Sequence, residues 1–283
     1  MTGTTAPRPV VVVPVYNAAA ALRDCLAALE QTLGPQDRVL LADDASTDPE
    51  VPRLCAAYAA RSRAEVRYVR RARNLGFVGN VNLAFAETAG DDVVLLNSDT
   101  LPTPGWLARM AEAAARAPDA ATLTPWSNHA EICSFPEFCK PAPVPDADAR
   151  LRLARAAASL DELPLPELPT GVGFAMFVRR RALEQLGDFD AATFGRGYGE
   201  ENDFCLRAAA HGWRNLFCPT AYVAHLGGAS FAATGHAPGG ENLRRLLIRY
   251  PDYNARVAAF ILADPLRPYR ERLAKALAAL ESP

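Results

Sequence analysis

Several things that would mark a familiar class of protein are scarce or missing in this chain of 283 residues. No run approaches the roughly 18 apolar residues that a membrane-crossing helix needs. The opening segment MTGTTAPRPVVVVPVYN has no long apolar stretch after a charged start, so it does not read as a secretory leader, and the expected location is the cytoplasm. Neither sign of charge dominates. Thirty Lys and Arg stand against 32 Asp and Glu, a formal net charge of -2, so the overall field selects neither nucleic acid nor an anionic membrane. The six cysteines, Cys25, Cys55, Cys133, Cys139, Cys205 and Cys218, form no CxxC pair and read as reduced thiols, mostly small core residues. His129, Cys133 and Cys139 lie close together, but at a spacing that matches no zinc pattern.

Half of the residues are hydrophobic, enough for a sizeable core. Their arrangement alternates. PVVVVPV (9–15), RVLLADD (38–44), EVRYVR (65–70), DDVVLLNSDT (91–100) and AATLTPW (120–126) read as strands. Helical stretches separate them: one capped by Asn17 and stopped at Gly34-Pro35, one opened by Asp48-Pro49, one within 74–90, and one within 103–118. This β-α alternation predicts an α/β fold around a mainly parallel sheet with helices on both faces. Residues 127–170 are irregular and proline-rich around KPAPVPDADA, with a short helix over 149–160. A strand (171–180), a helix (181–187), two further strands (213–219 and 221–228) and a helical tail from Glu241, broken near Pro251 and Pro265, complete the chain. One domain of residues 1–240 with a tail of 241–283 is the simplest division. Within it a regular first half runs to about residue 126 and a less regular second half covers 127–240.

In sheets of this kind ligands bind beyond the carboxyl ends of the strands. The polar tips YN, DDAST and NSDT all sit at such ends and should gather along one edge. Asp99 there can bind a divalent cation, although Asn, Ser and Asp also favour plain turns. His225 follows a strand and precedes Gly227-Gly228; it is either a structural hydrogen-bonder or a metal ligand. In GYGEENDFCLRAAAHGW (197–213), Glu200, Glu201 and Asp203 open a helix. They offset the positive end of its dipole, or one of them removes a proton from a substrate.

VVVPVYN, LADDASTD, RNLGFVGNVN, LLNSDT, GEENDFCLR and HLGGASF occur in that order over about residues 9–231. Together they resemble the family 2 glycosyltransferases with the GT-A fold, and within them bacterial rhamnosyltransferase-like enzymes. The resemblance implies a nucleoside-diphosphate sugar, UDP- or dTDP-linked, as donor and a glycan, lipid-linked or small-molecule hydroxyl as acceptor. It places Pro14, Val15 and Tyr16 against the nucleotide base, Asp44 on the base N3–H, Asn74 and Gly76 beside the ribose, and Asn82 at the start of the helix beneath. Asp99 becomes the metal-binding acid for Mg²⁺ or Mn²⁺, with Asn97 where the motif's first acid usually stands, and His225 completes the metal or diphosphate site. Glu201 matches the catalytic base, a position usually Asp, and Glu200 the acid before it. Asp203 and Arg207, four apart, are expected to form a supporting ion pair.

The reaction so implied is an inverting displacement at the anomeric carbon, with the loop 229–240 closing over the donor. A sugar-phosphate nucleotidyltransferase would carry a glycine-rich phosphate loop where this chain has PVYNAAAA. A catalytically silent nucleotide-sugar or glycan-binding module is the other alternative, and the carboxylates at 99 and 201 weigh against it. Trp106, Trp126 and Trp213 could stack on sugars or fill the core. The stretch LRRLLIRY is amphipathic and basic, which allows packing on the catalytic domain, a peripheral contact at the inner membrane face, or a homodimer contact.

Overall fold

A computed structural model describes residues 7–195, 197–227 and 240–281. The loop expected to close over the donor lies outside the described residues. Eight strands form one sheet in the order β3-β2-β1-β4-β7-β6-β8-β5. The first half follows the expected alternation: β1 (Val10–Val15), α1 (Ala19–Thr32), β2 (Arg38–Asp43), α2 (Glu50–Arg61), β3 (Glu65–Arg70), α3 (Gly76–Glu87) and β4 (Val93–Leu96), with the four strands parallel. Then come β5 (Thr100–Pro102), α4 (Trp106–Arg116), β6 (Ala120–Trp126), a 3₁₀ turn (Glu131–Cys133), α5 (Ala147–Ala158), β7 (Ala175–Val178), α6 (Arg180–Leu186), α7 (Ala191–Phe194), α8 (Glu200–Ala210) and β8 (Arg214–His225). The tail is helical: α9 (Gly240–Arg249), α10 (Tyr253–Ala263) and α11 (Arg267–Glu281). β7 runs antiparallel to both β4 and β6, so β4, β6 and β8 point the same way and their carboxyl ends share an edge with β1 and β2.

Period-two alternation distributes the strand residues between two cores. Val11, Val13 and Val15 face one with Leu22, Leu26, Val51, Met110, Trp106 and Trp126; Val10 and Val12 face the other with Val81, Phe85, Leu183 and Phe204. Trp106 and Trp126 are therefore core residues, and Trp213 lies against Gln185, its indole N–H donating to Oε1 at 3.0 Å. The tail reaches both faces: Leu246 joins the second core, Leu266 and Leu273 the first. Arg179 and Arg180 close helix ends, donating respectively to the carbonyls of Ala114 and Ala117 and to those of Phe85 and Thr88.

Four local expectations are corrected. Asn17 does not cap α1, whose first turn follows Ala18; it stands at φ 55° and its Oδ1 accepts from the backbone N–H groups of Thr47 and Asp48, tying the β1 tip to the β2–α2 loop. Asn82 does not begin a helix. It sits inside α3 and exchanges two hydrogen bonds with the backbone of Phe189. DDVVLLNSDT is two strands, because the chain turns at 97–99, with Thr100 donating from N–H and hydroxyl to the Asn97 carbonyl. The two strands read around Pro219 are one, β8, which tolerates the proline where its register with β6 shifts.

Candidate active site

At the carboxyl edge of β1 and β2, Asp44 is buried and its two oxygens accept from the N–H groups of Leu75 (2.7 Å) and Gly76 (2.9 Å), the first free donors of α3. Burial raises its carboxyl above the ordinary value, against those two hydrogen bonds. Asn74 joins this knot through the Asp44 carbonyl and the Gly76 N–H. Pro14, Val15 and Tyr16 lead from β1 into the same loop cluster; Val15 is buried while Pro14 and Tyr16 are partly exposed. Asp43 accepts from Ser46 N–H and the Tyr68 hydroxyl and forms an ion pair with Arg70 at 3.4 Å. Asp44 is thus already the cap of α3, whatever else it meets.

The second cluster forms where β4 and β8 end beside the start of β7. Thr100 pairs with His225, and the Asp99 carbonyl accepts from Leu226 N–H at 2.9 Å. His225 Nε2 consequently lies 3.3 Å from Asp99 Oδ1, although 126 positions separate the two in sequence. Nδ1 of His225 donates to the His129 carbonyl at 2.8 Å, which fixes the tautomer and turns Nε2 toward Asp99. Asn128 brackets the His225 backbone, accepting from its N–H and donating to its carbonyl. Phe174 stacks on the imidazole at 5.4 Å. Burial presses the His225 pKa down, but Asp99 and the His129 carbonyl carry it above the ordinary value. His129 shifts the other way, through burial and the neighbouring His225.

The third cluster is the start of α8. Gly199 precedes it at φ 102°, and an added Cβ would stand 3.0 Å from the Phe194 ring, so both conformation and space call for glycine. Glu200 is 3 % exposed and Glu201 partly exposed, and Oε2 of each lacks a hydrogen-bond partner among the described residues. Burial and then the neighbouring Glu201 raise Glu200 well above the usual carboxylate range. Burial also raises Glu201, against hydrogen bonds from backbone and from Glu200. Asp203 makes the expected ion pair with Arg207 at 2.8 Å, and accepts further from Arg249 at 2.6 Å and the Tyr250 hydroxyl at 3.1 Å. The tail helix is thereby tied to the helix that carries the two glutamates.

A cavity of about 320 Å³ joins the second and third clusters. Asn97, Phe174 and His225 line one part, Glu200, Glu201 and Tyr198 another, and Leu243, Leu246 and Tyr253 of the tail a third. Tyr198 lies within reach of both charged groups: burial, then the charges of Glu201, Glu200 and Asp99, push its phenol up to about 12. The Asp44–Asn74–Gly76 knot is not part of this cavity's lining. Sequence reasoning missed Asn128 and Glu131 and considered His129 only alongside Cys133 and Cys139; the signal was present, because SNHAE directly follows β6 at a strand carboxyl end. The trio His129, Cys133 and Cys139 does not assemble: Cys133 is buried in the core, Cys139 is exposed, and no group of three or more His, Cys, Asp or Glu among the described residues is placed to hold a metal.

Comparison with known proteins follows the same lines. Residues 10–187 match the model of glycosyl transferase family 2. The chain is 29 % identical over 238 residues to an N-acetylglucosaminyl-diphospho-decaprenol L-rhamnosyltransferase of Mycobacterium tuberculosis, covering 77 % of this chain and 75 % of that protein. It is 27 % identical over 221 residues to a pre-mycofactocin glycosyltransferase of the same species, covering 76 % of this chain and 42 % of that one. Among solved structures, a mannosyltransferase from Pyrobaculum calidifontis in complex with GDP-Man and Mn²⁺ superposes with a TM-score of 0.57 at 21 % identity, over 98 % of this chain and 76 % of that one. S. aureus TarS in complex with UDP-GlcNAc gives 0.55 at 17 %, over 94 % and 70 %. The fold is that of the GT-A glycosyltransferases, and the chain belongs to glycosyl transferase family 2.

Proposed function

We propose that this glycosyltransferase is inverting and metal-dependent. It moves a sugar from a UDP- or dTDP-linked donor to a hydroxyl of a glycan, lipid-linked or small-molecule acceptor. The observation that carries the reading is the shared cavity, with Asn97 and His225 on one side and Glu200 and Glu201 on the other. Residues 1–126 serve the nucleotide sugar in this reading, residues 127–240 the acceptor, and the tail from 241 closes the site. Pro14, Val15, Tyr16, Asp44, Asn74 and Gly76 lie along the path of the nucleotide.

The donor set fits a hard divalent ion. Asp99 contributes a buried carboxylate and His225 a nitrogen whose tautomer is set by a backbone carbonyl. Mg²⁺ and Mn²⁺ sites of this kind take one or two protein groups and complete their shell with diphosphate oxygens and water. When bound, the ion neutralises the charge that develops on the departing diphosphate. Asn97, in place of an acid, offers an oxygen without adding charge. Glu201 accepts the proton of the attacking hydroxyl as the oxygen bonds to the anomeric carbon and the bond to the diphosphate oxygen breaks. Its raised pKa makes it a stronger base than an exposed carboxylate.

Two measurements test the reading. Titration calorimetry with UDP- and dTDP-sugars, with and without Mn²⁺, should show metal-assisted donor binding. Glu201→Gln should keep that binding and lower turnover by about 100-fold or more. Wild-type turnover by this variant removes Glu201 as the base; donor binding with neither transfer nor hydrolysis favours the silent binding module. No described helix is long and apolar enough to cross a membrane. Ile248 and Leu262 of the tail are 81 % and 86 % exposed, which supports a surface contact there, with a membrane face on the cytoplasmic side or with a second copy.

A further inference from the structure

A third carboxylate opens into the same cavity, and the reaction above does not use it. Glu131 follows β6 and starts the 3₁₀ turn with φ 46°, a backbone conformation that glycine adopts more readily than glutamate. Its carbonyl is pinned by the N–H groups of Ser134 (3.1 Å) and Cys139 (3.2 Å), and the flanking Ala130 N–H donates to Ser134 Oγ at 3.0 Å. The side chain, by contrast, makes no hydrogen bond or ion pair with the described residues, is exposed, and lines the cavity with Glu201 and Tyr253. Glu131, Glu201 and Tyr253 line one space; partial enclosure of its carboxyl raises the Glu131 pKa, and burial first, then the Glu131 charge among others, raises those of Glu201 and Tyr253. The buried Glu200, with Oε2 unpartnered among the described residues, faces the same space.

Glu131 and Glu201 set two carboxylates around one opening, beside a Glu200 that holds its proton more tightly; such a pair disfavours an anionic group and favours hydrogen-bond donors. Two carboxylate oxygens match two adjacent hydroxyls. Val172, partly exposed in the cavity lining, supplies apolar surface against which the C–H face of a sugar ring packs. Resting on the glycosyltransferase reading above, we infer that Glu131 recognises the acceptor, accepting hydrogen bonds from neighbouring hydroxyls of an uncharged sugar and holding the reacting hydroxyl against Glu201. It positions the substrate and exchanges no proton in the reaction.

The test uses the full chain with UDP- and dTDP-sugar donors, Mn²⁺, and the octyl glycosides of glucose, galactose, mannose, N-acetylglucosamine, rhamnose and glucosamine as acceptors. Transfer and donor hydrolysis are measured together. Glu131→Ala is expected to lower the ratio of transfer to hydrolysis by about tenfold or more, mainly through a higher acceptor KM, with Glu131→Gln between it and the wild type. Glu131→Gly relieves the backbone strain, so it should melt no lower than the wild type while showing the same loss; this separates recognition from folding. A ratio within twofold of wild type in both Glu131→Ala and Glu131→Gly overturns the inference. So does a wild-type protein that hydrolyses donor but transfers to no uncharged glycoside, or only to the glucosamine glycoside. Absence of any turnover of these donors sinks the UDP- or dTDP-sugar transfer reading beneath it instead, and this inference falls with it.

Discussion

Glu200 is an acid held almost out of solvent at the first turn of α8, beside a second acid. Its proton binds more tightly in the folded chain than in the unfolded one, where a glutamate titrates near about 4.3. The stabilisation that follows is complete below that value and is lost as pH rises through the raised folded pKa. Glu200→Gln removes this loss. It should melt higher than wild type at pH 8, by about 3 °C or more, with the gap closing by pH 5. Calorimetry at the two pH values checks this, and an equal gap at both refutes it. Glu201 gives a companion expectation in kinetics. As the proposed base, Glu201 must be ionised to act, and burial raises its pKa, so the acidic limb of kcat/KM should fall above the ordinary glutamate range. A limb at or below pH 4.5, measured with any donor and acceptor pair that turns over, would remove Glu201 from that role.

Elements carry the next layer, and β8 shows how one strand end organises the site. Gly227 stands at φ 75°, and a Cβ there would lie 2.1 Å from Nδ1 of His129, the residue whose carbonyl holds His225. Gly187 at the end of α6 has a similar φ of 79° but nothing within 4 Å of such a Cβ. Gly187→Ala therefore bears backbone strain alone, about 1–3 kcal/mol at φ 79°, ψ 172°, whereas Gly227→Ala adds a clash with the His129 ring, for roughly 1 kcal/mol or more beyond its own strain. Thermal melts of the two variants should differ in that order; equal melting temperatures would mean that His129 can move freely. The strands and helices of the first half were legible because period-two and helical patterns, prolines and glycines mark them directly. Less legible was what depends on distant partners. Asn17 looks like a cap until the β2–α2 loop supplies two N–H groups for its side chain. Pro219 looks like a strand end until a register shift in β6 accommodates it. Asp99 and His225 were each visible as polar groups at strand ends, but only the antiparallel β5–β8 pairing brings them to 3.3 Å. Glu131 gave no periodic signal, since its exposure follows from an irregular turn.

At the scale of the whole molecule, the tail acts as a belt. α9 sets Leu246 into one core, and Leu266 and Leu273 insert into the other, so one continuous segment clamps both faces of the sheet. Arg249 fastens it polarly, reaching Asp203 at 2.6 Å and Asp190 at 2.8 Å, and Asn242 donates to the carbonyls of Phe194 and Gly197 just ahead of the two glutamates. Arg249→Gln should cost only about 1 kcal/mol, because the guanidinium is 38 % exposed and Asp203 keeps Arg207. Its larger effect should fall on turnover, through looser placement of Glu201, with donor affinity the less affected quantity. Removing residues 240–283 is a different matter. Burial of three leucines contributes about 5–9 kcal/mol, comparable to the 5–15 kcal/mol that holds a typical domain together. It would also strip Leu243, Leu246 and Tyr253 from the cavity wall. A chain ending at residue 239 should lose its cooperative thermal transition and bind a hydrophobic dye, whereas Arg249→Gln melts cooperatively. If the shortened chain instead melts cooperatively within a few degrees of wild type, the tail is an appendage to a self-sufficient catalytic domain and its leucines only cover surface that the domain can close by itself.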